Sequence, residues 1–238
     1  MKFSKLKKLT NKKLAVISLD FEEDYGGRVN QFNIIKMEKE LKDLSNLCSK
    51  LQFGISTFIQ TNLIEKSNET LDLVRLISND FHAHTHTHNV NNFDNEKEIL
   101  TCFEVFNKKF NYSPIGYRAP QGVLTKLDIT LLKKAGFKFS SSIITSFRPG
   151  KYNNLNFPQE PVQYENGIIE MPIASTPIIK IPISISYLKL TSLTFNKIFI
   201  KLGKLPNILI INSHLHDLII NDTSYNKLPG LYILIVIR

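Results

Sequence analysis

Four of the six histidines fall in one short stretch, Asp80-Phe81-His82-Ala83-His84-Thr85-His86-Thr87-His88, and the other two, His214 and His216, sit together towards the far end of the chain. Neutral imidazole is the commonest metal ligand among side chains, and an i, i+4 pair such as His84 and His88 converges on one point if the backbone turns helical between them. A plain strand would instead line up all four imidazoles on one face as a solvated stripe. A second dense group, Asp20, Glu22, Glu23 and Asp24, precedes Tyr25-Gly26-Gly27. Carboxylates packed that closely repel one another unless a cation sits among them; the alternative is an acidic surface turn. Two imidazoles and one carboxylate make a three-ligand site for Zn²⁺ or a similar ion, with a position left for a water whose pKa falls to about 7. A second carboxylate can then act as general base and a histidine opposite can protonate a leaving amine, each role typically worth about 10²- to 10⁴-fold. Arg118 would keep that base ionised by pairing with it, bidentately where geometry allows. These parts suit hydrolysis of an amide.

The elements that must position these groups can be read from periodicity. Leu14 to Phe21 is a short apolar run without helical period, as expected of a buried parallel strand. From Asn33 to Leu51, Ile34, Met37, Leu41, Leu44, Cys48 and Leu51 recur at spacings of three and four, the pattern of an amphipathic helix. Ile55–Ile59 reads as a second strand, and Ser67 can cap a helix carrying Leu71, Val74 and Ile77. Phe81–His84 is a third strand. Asp94 or Asn95 opens a helix with Ile99, Cys102, Phe103, Phe106 and Phe110 on one face. Pro114 to Gly122 reads as a strand stopping at a turn, and Thr125 with Asp128 has the spacing of a capping box on a helix that Gly136 closes. Strands are expected over Phe137–Ile143, Gly167–Ile173 and Ile208–Asn212, with an irregular loop over Phe147–Tyr164 and a helix around Thr191–Leu202. A last apolar strand spans Leu231–Ile237. This alternation predicts βαβ units around a parallel sheet. The polar groups keep recurring at one end of successive strands, which in parallel α/β barrels is the C-terminal rim where catalytic groups meet.

Composition narrows the setting. With 238 residues and 42% hydrophobic content the chain can bury a sizeable core, and no Pro/Gly/Ser-rich linker divides it, so a single domain over 1–238 is expected, with its core at 14–217. Net charge is +9. A basic surface attracts phosphates of any kind, which keeps contact with an anionic membrane surface open. No RNP-like aromatic motif, zinc-finger spacing or glycine-rich phosphate loop supports a specific nucleic-acid partner. Cys48 and Cys102 lie within apolar periodic stretches and read as reduced core residues. Leu14–Leu19 is too short for a signal-peptide core, and no segment reaches the length of a membrane span, so a cytoplasmic protein is the expectation.

Taken together, the motifs resemble those of polysaccharide deacetylases, the NodB-homology family of metal-dependent N-deacetylases. His84-Thr85-His86-Thr87-His88 matches that family's His-[Ser/Thr]-x-x-His metal motif, and Ser18-Leu19-Asp20-Phe21-Glu22 stands where its acidic motif belongs. Arg118-Ala119-Pro120-Gln121-Gly122 resembles the Arg-x-Pro-x-Gly motif, and Ile211-Asn212-Ser213-His214 the final strand ending in histidine. The resemblance covers roughly Leu14 to Asp217. It implies an irregular (β/α) barrel of about seven strands, with Asp20 as general base, His84 and His88 as metal ligands, Arg118 as partner of Asp20 and His214 as general acid. The implied cofactor is a divalent metal, Zn²⁺ first with Co²⁺ or Ni²⁺ as substitutes, and the implied partner is an N-acetylated carbohydrate.

The sequence also departs from that pattern. The commonest family wording has two adjacent aspartates, whereas Phe21 follows Asp20, so Glu22 is the first choice for the third ligand and Asp24 the second. The family's aromatic-plus-aspartate motif is missing and the chain has no Trp; Asp217 can stand in for that aspartate or be an ordinary cap. The closeness of Leu231–Ile237 to the histidine motif points to a shortened C-terminus. Two further readings follow: a hydrolase of other linear or cyclic C–N bonds, and a metal- or glycan-binding relative without turnover.

Overall fold

The computed structural model describes residues 2–6, 12–22, 38–78, 80–88 and 94–219. Strands and helices are numbered in chain order. Among the described residues seven strands form a parallel row, namely β2 (Leu14–Phe21), β3 (Ile55–Ile59), β4 (Asp80–Ala83), β5 (Gly116–Tyr117), β6 (Phe139–Ser140), β10 (Ile169–Glu170) and β11 (Ile208–His214). Their order is β11-β2-β3-β4-β5-β6-β10. Ile173, just beyond β10, bridges in parallel to Ile144 past β6 and to Ile210 in β11, so the two ends of the row meet. The result is an irregular (β/α) barrel. β1 (Phe3–Lys5) and β9 (Val162–Tyr164) continue the sheet antiparallel beside β10, and β7 (Phe147–Arg148) pairs with β8 (Tyr152–Asn153) as a separate hairpin.

Strand alternation divides the side chains between two cores. Leu19, Phe21, Ile59, Phe81, Ala83 and Tyr117 pack outward against α1 (Glu38–Leu51), α2 (Thr61–Lys66), α3 (Asn68–Ile77), α4 (Asn95–Phe110) and α5 (Lys126–Ala135) in the main apolar cluster. Ile173, Ile208 and Ile210, with Val16, Ile144 and Met171 beside them, form a second cluster. Above these, the rings of Phe58, His82 and Phe139 meet, with centroids 4.9–6.5 Å apart. A Cβ on Gly116 would lie 2.3 Å from the Phe139 ring, so the absence of a side chain there is what admits that ring. Along β11 the same face runs Ile208, Ile210, Asn212, His214, changing from apolar to polar towards the rim.

Several elements match the expected ones closely. Ser67 caps α3, Asp94 caps α4, and Thr125 with Asp128 forms the capping box of α5, which ends at Gly136 with φ 108°. Others differ. α2 lies immediately after β3 where no helix was expected, and the Phe147–Tyr164 loop contains the β7–β8 hairpin and β9. The strands expected over Pro114–Gly122 and Phe137–Ile143 shrink to two regular residues each, because Pro114 and Pro120 remove ladder donors and the Ser142 and Ile143 amides donate to the Glu170 carboxylate. α6 (Ile185–Leu190) precedes α7 (Leu193–Lys201), and α8 (Leu215–Leu218) follows β11. The start of the expected Asn33–Leu51 helix and the Leu231–Ile237 strand fall outside the described residues. No helix among the described residues is long and apolar enough to cross a membrane.

Candidate metal centre and active site

Every strand that carries a predicted site residue delivers it at its C-terminal end. Asp20 and Glu22 close β2, His84 and His88 follow β4, Arg118 follows β5, and His214 is the last residue of β11. The register pairs His214 with Asp20 directly. These six residues meet at one rim; Asp24 lies outside the described residues.

The histidine loop is shaped by its neighbours rather than by helix formation. Thr85 and His88 both adopt positive φ, 55° and 59°, so the chain turns sharply between the two imidazoles instead of coiling. A β-branched residue with φ > 0 is strained, and such a conformation persists only where the surroundings enforce it. Here the Glu98 carboxylate, in the first turn of α4, accepts hydrogen bonds from the His86 and Thr87 amides at 2.9 and 2.8 Å and from the Thr87 hydroxyl. On the other side the Thr61 and Asn62 amides donate to the Thr85 and His86 carbonyls, and Gln60 Nε2 donates to the Thr87 carbonyl. His86 faces away, towards Thr61 and Glu65. His82 is buried among the barrel rings.

His84 Nε2 and His88 Nε2 lie 3.4 and 3.0 Å from Glu22 Oε2, and all three residues are buried. His84 Nδ1 is 3.0 Å from the Arg118 carbonyl, which can only accept, so Nδ1 carries a proton. In the neutral ring Nε2 then presents a lone pair to a carboxylate. Two acceptors face each other, and the arrangement is favourable only with a proton or a cation between them. This donor set fits a divalent ion, with both imidazoles and the acid within 4.8 Å of one another. Burial by itself would raise the Glu22 carboxyl, but His88 and His84 hold it well below the ordinary range.

Beside this trio Arg118 is buried, and each of its guanidinium nitrogens donates a hydrogen bond. Nη1 donates to Asp20 Oδ1 at 2.6 Å and to Asn212 Oδ1 at 2.7 Å, while Nε and Nη2 donate to the Ser141 carbonyl and hydroxyl. Its guanidinium lies 3.9 Å over the Phe58 ring. The pairing with Asp20 is through one nitrogen, because Ser141 occupies the other edge of the guanidinium. Burial would raise the Asp20 carboxyl, but Arg118, then His84 and His214, bring it below its usual value. Asn212 and Ser141 were not singled out as functional from the sequence. Asn212 was detectable in principle, two residues before His214 and hence on the same strand face.

His214 Nε2 is 3.6 Å from Asp20 Oδ2, and Nδ1 is 3.4 Å from Asp217 Oδ2. Asp217 also accepts from the His214 amide at 2.9 Å and from Ser186 Oγ at 2.6 Å. Burial lowers the His214 imidazole, but Asp217, Glu22 and Asp20 together raise it to about 9. His216, stacked on the His214 ring, is pushed down to about 4 by burial and by its charged neighbour.

No family model and no curated protein sequence matches this chain. Among solved structures, a protein of Mycobacterium smegmatis described as a candidate polysaccharide deacetylase is 12% identical, over 89% of this chain and 82% of its own, with a TM-score of 0.54. The chain has the polysaccharide-deacetylase fold. PuuE allantoinase shares that deacetylase fold at 10% identity, covering 86% of this chain and 78% of its own, with a TM-score of 0.54. A mutant of a CE4 family pseudoenzyme from Bacillus anthracis, described as having restored enzymatic activity, matches at 11% identity and a TM-score of 0.50. This chain covers 94% of its own length there and 63% of that protein. At such identities the likeness establishes the deacetylase fold alone.

Proposed function

We propose that this protein is a metal-dependent hydrolase that removes the N-acetyl group from an amino sugar in a carbohydrate. The observation that carries the reading is the convergence of two imidazole nitrogens and one carboxylate oxygen beside a base and an acid on paired strand residues, Asp20 and His214. His84, His88 and Glu22 would hold the ion. Bound there, a divalent cation supplies a Lewis acid and a water acidified towards neutrality.

The chain's own groups account for the proton traffic. Asp20 is ionised throughout the neutral range, with Oδ1 fixed by Arg118 and Oδ2 turned towards His214, so Oδ2 can take a proton from an attacking water. Against its burial, Asp217 and Asp20 favour the protonated form of His214, which can then give its Nε2 proton to the departing amine. Asn212 holds both Asp20 and Arg118 in place. A pure binding protein would have no use for an ionised base facing a protonated acid.

The test is to load the purified protein with Zn²⁺, Co²⁺ or Ni²⁺ and assay acetate release from N-acetylglucosamine oligomers. Asp20→Asn is expected to lower kcat by about 10²- to 10⁴-fold while metal binding persists. Metal binding with no acetate from any glycan rejects the reading. A second reading, hydrolysis of another linear or cyclic C–N bond, has its own support in the equal TM-score of 0.54 to an allantoinase and in Phe21 interrupting the acidic motif. Turnover of a cyclic amide without acetate release would favour it.

A further inference from the structure

Between Glu170 and Asp217 the chain contains no acidic residue but five lysines, Lys180, Lys189, Lys197, Lys201 and Lys204. The same stretch is rich in Ile, Leu and Phe, yet much of that apolar material is not buried: α6 has no buried residue at all. Ile178 is 61% exposed, Ile198 53% and Leu202 54%.

Two close approaches tie these segments together. Ile198 and Leu202 are one turn apart on the same side of α7, and Lys197 and Lys201, both exposed, run alongside them. Gly203 packs so closely on Pro177 that an added Cβ would fall 2.4 Å from the proline Cβ, which brings the end of α7 up to the Pro177–Ile179 segment. Ser146 Oγ donates to the Lys180 carbonyl, which brings exposed Phe147 and half-buried Arg148 close to the Ile178–Ile179 tip. Exposed apolar side chains and cations of these segments therefore share the barrel flank beside β11. Single exposed apolar residues are ordinary, whereas a contiguous set with a basic border marks an interaction surface.

We infer that this flank docks on the surface of an anionic phospholipid bilayer, with Ile178, Ile179, Ile198 and Leu202 entering the headgroup boundary and the lysines lying against the lipid phosphates. Charge complementarity selects this occupant. A second copy meeting the patch through two-fold symmetry would set lysine against lysine. A nucleic acid would call for stacking surfaces, whereas the projections are mostly aliphatic. An amphipathic surface with cations beside aliphatic anchors is the composition of a peripheral membrane contact. The inference is independent of the chemistry at the rim.

The test is co-sedimentation of the full chain with vesicles of phosphatidylcholine alone or mixed with phosphatidylglycerol. Binding is expected only to the anionic vesicles and is expected to weaken with salt. Ile178→Ser/Leu202→Ser and, separately, Lys197→Glu/Lys201→Glu should each reduce it roughly tenfold or more, with unchanged circular dichroism and melting. Equal binding to neutral vesicles, no binding to anionic ones, or full retention by both variants overturns the inference. A dimer that dissociates in the serine variant without vesicle binding would assign the face to a second copy. Because the assay reads attachment and not turnover, its failure leaves the proposed hydrolysis standing.

Discussion

His214 is the residue whose protonation matters most, and its surroundings set that state. Burial disfavours its charged form, but Asp217, then Glu22 and Asp20, raise it from 6.5 to about 9, while Asp217, despite its own burial, is drawn from 3.8 to about 2, chiefly by His214. A histidine with a raised folded pKa stabilises the fold fully below its unfolded pKa, and this contribution disappears as pH rises through about 9. For Asp217 the sign is opposite: its contribution is present above 3.8 and is lost as pH falls through about 2. In the metal-free protein Asp217→Asn removes the largest upward influence on the ring. The His214 midpoint, followed by NMR, should then fall well below 9. A midpoint that stays near 9 would assign the proton to Glu22 and Asp20 instead. At this scale the sequence was informative about residue types and weak about pairings. His84, His88, Asp20, Arg118 and His214 stood out by clustering and motif, and Asn212 shares a strand face with His214, whereas Ser141 is a common residue whose role arises only when strands far apart in the chain become neighbours.

Among elements, α4 does more than cover the sheet. Its first turn presents Glu98 to the histidine loop, and that carboxylate accepts two amide hydrogen bonds that compensate the positive-φ turn at Thr85 and His88. Hydrogen bonds to a charged acceptor contribute about 1.5–3 kcal/mol, and loss of an outer partner of metal ligands typically weakens metal affinity by about 10- to 100-fold. Glu98→Ala should therefore weaken Zn²⁺ binding by about that factor with the three ligands untouched, as read by competition with a chromophoric chelator. Unchanged affinity would show that the Gln60–Asn62 side of the clamp suffices. Long periodic elements were legible in advance because their signals are local: α3, α4 and α5 begin at the expected caps. For the loop itself a helical turn and a plain strand were both open, and the real turn is neither: it depends on a carboxylate from the next helix, which no local pattern announces. α2 and the β7–β8 hairpin are too short to establish a period.

At the scale of the molecule, closure of the barrel makes the rim a single unit. Arg118 joins Asp20 on β2, Ser141 beyond β6 and Asn212 on β11, while Glu22 faces two histidines from beyond β4. Which strands become neighbours was suggested by the βαβ alternation, and the barrel implied by the family resemblance closes where β10 meets β11 through Ile173, on single bridges that no local pattern marks. An ion bound by Glu22, His84 and His88 ties β2 to β4 across β3, and it binds only the folded chain. Mass action then stabilises the fold by about 2.7 kcal/mol at a free metal concentration 100 times Kd, a melting rise on the order of 5–10 °C for a chain this long. Zn²⁺ should raise Tm by this amount, EDTA should reverse it, and Glu22→Gln should abolish it, as followed by calorimetry. The ligand atoms of His214, His216 and Asp217 also lie within 4.8 Å of one another, so the control matters. A rise that survives Glu22→Gln but vanishes in His216→Ala would place the ion on the acid side of the rim, where it would occupy His214 and leave the proposed hydrolysis without its proton donor.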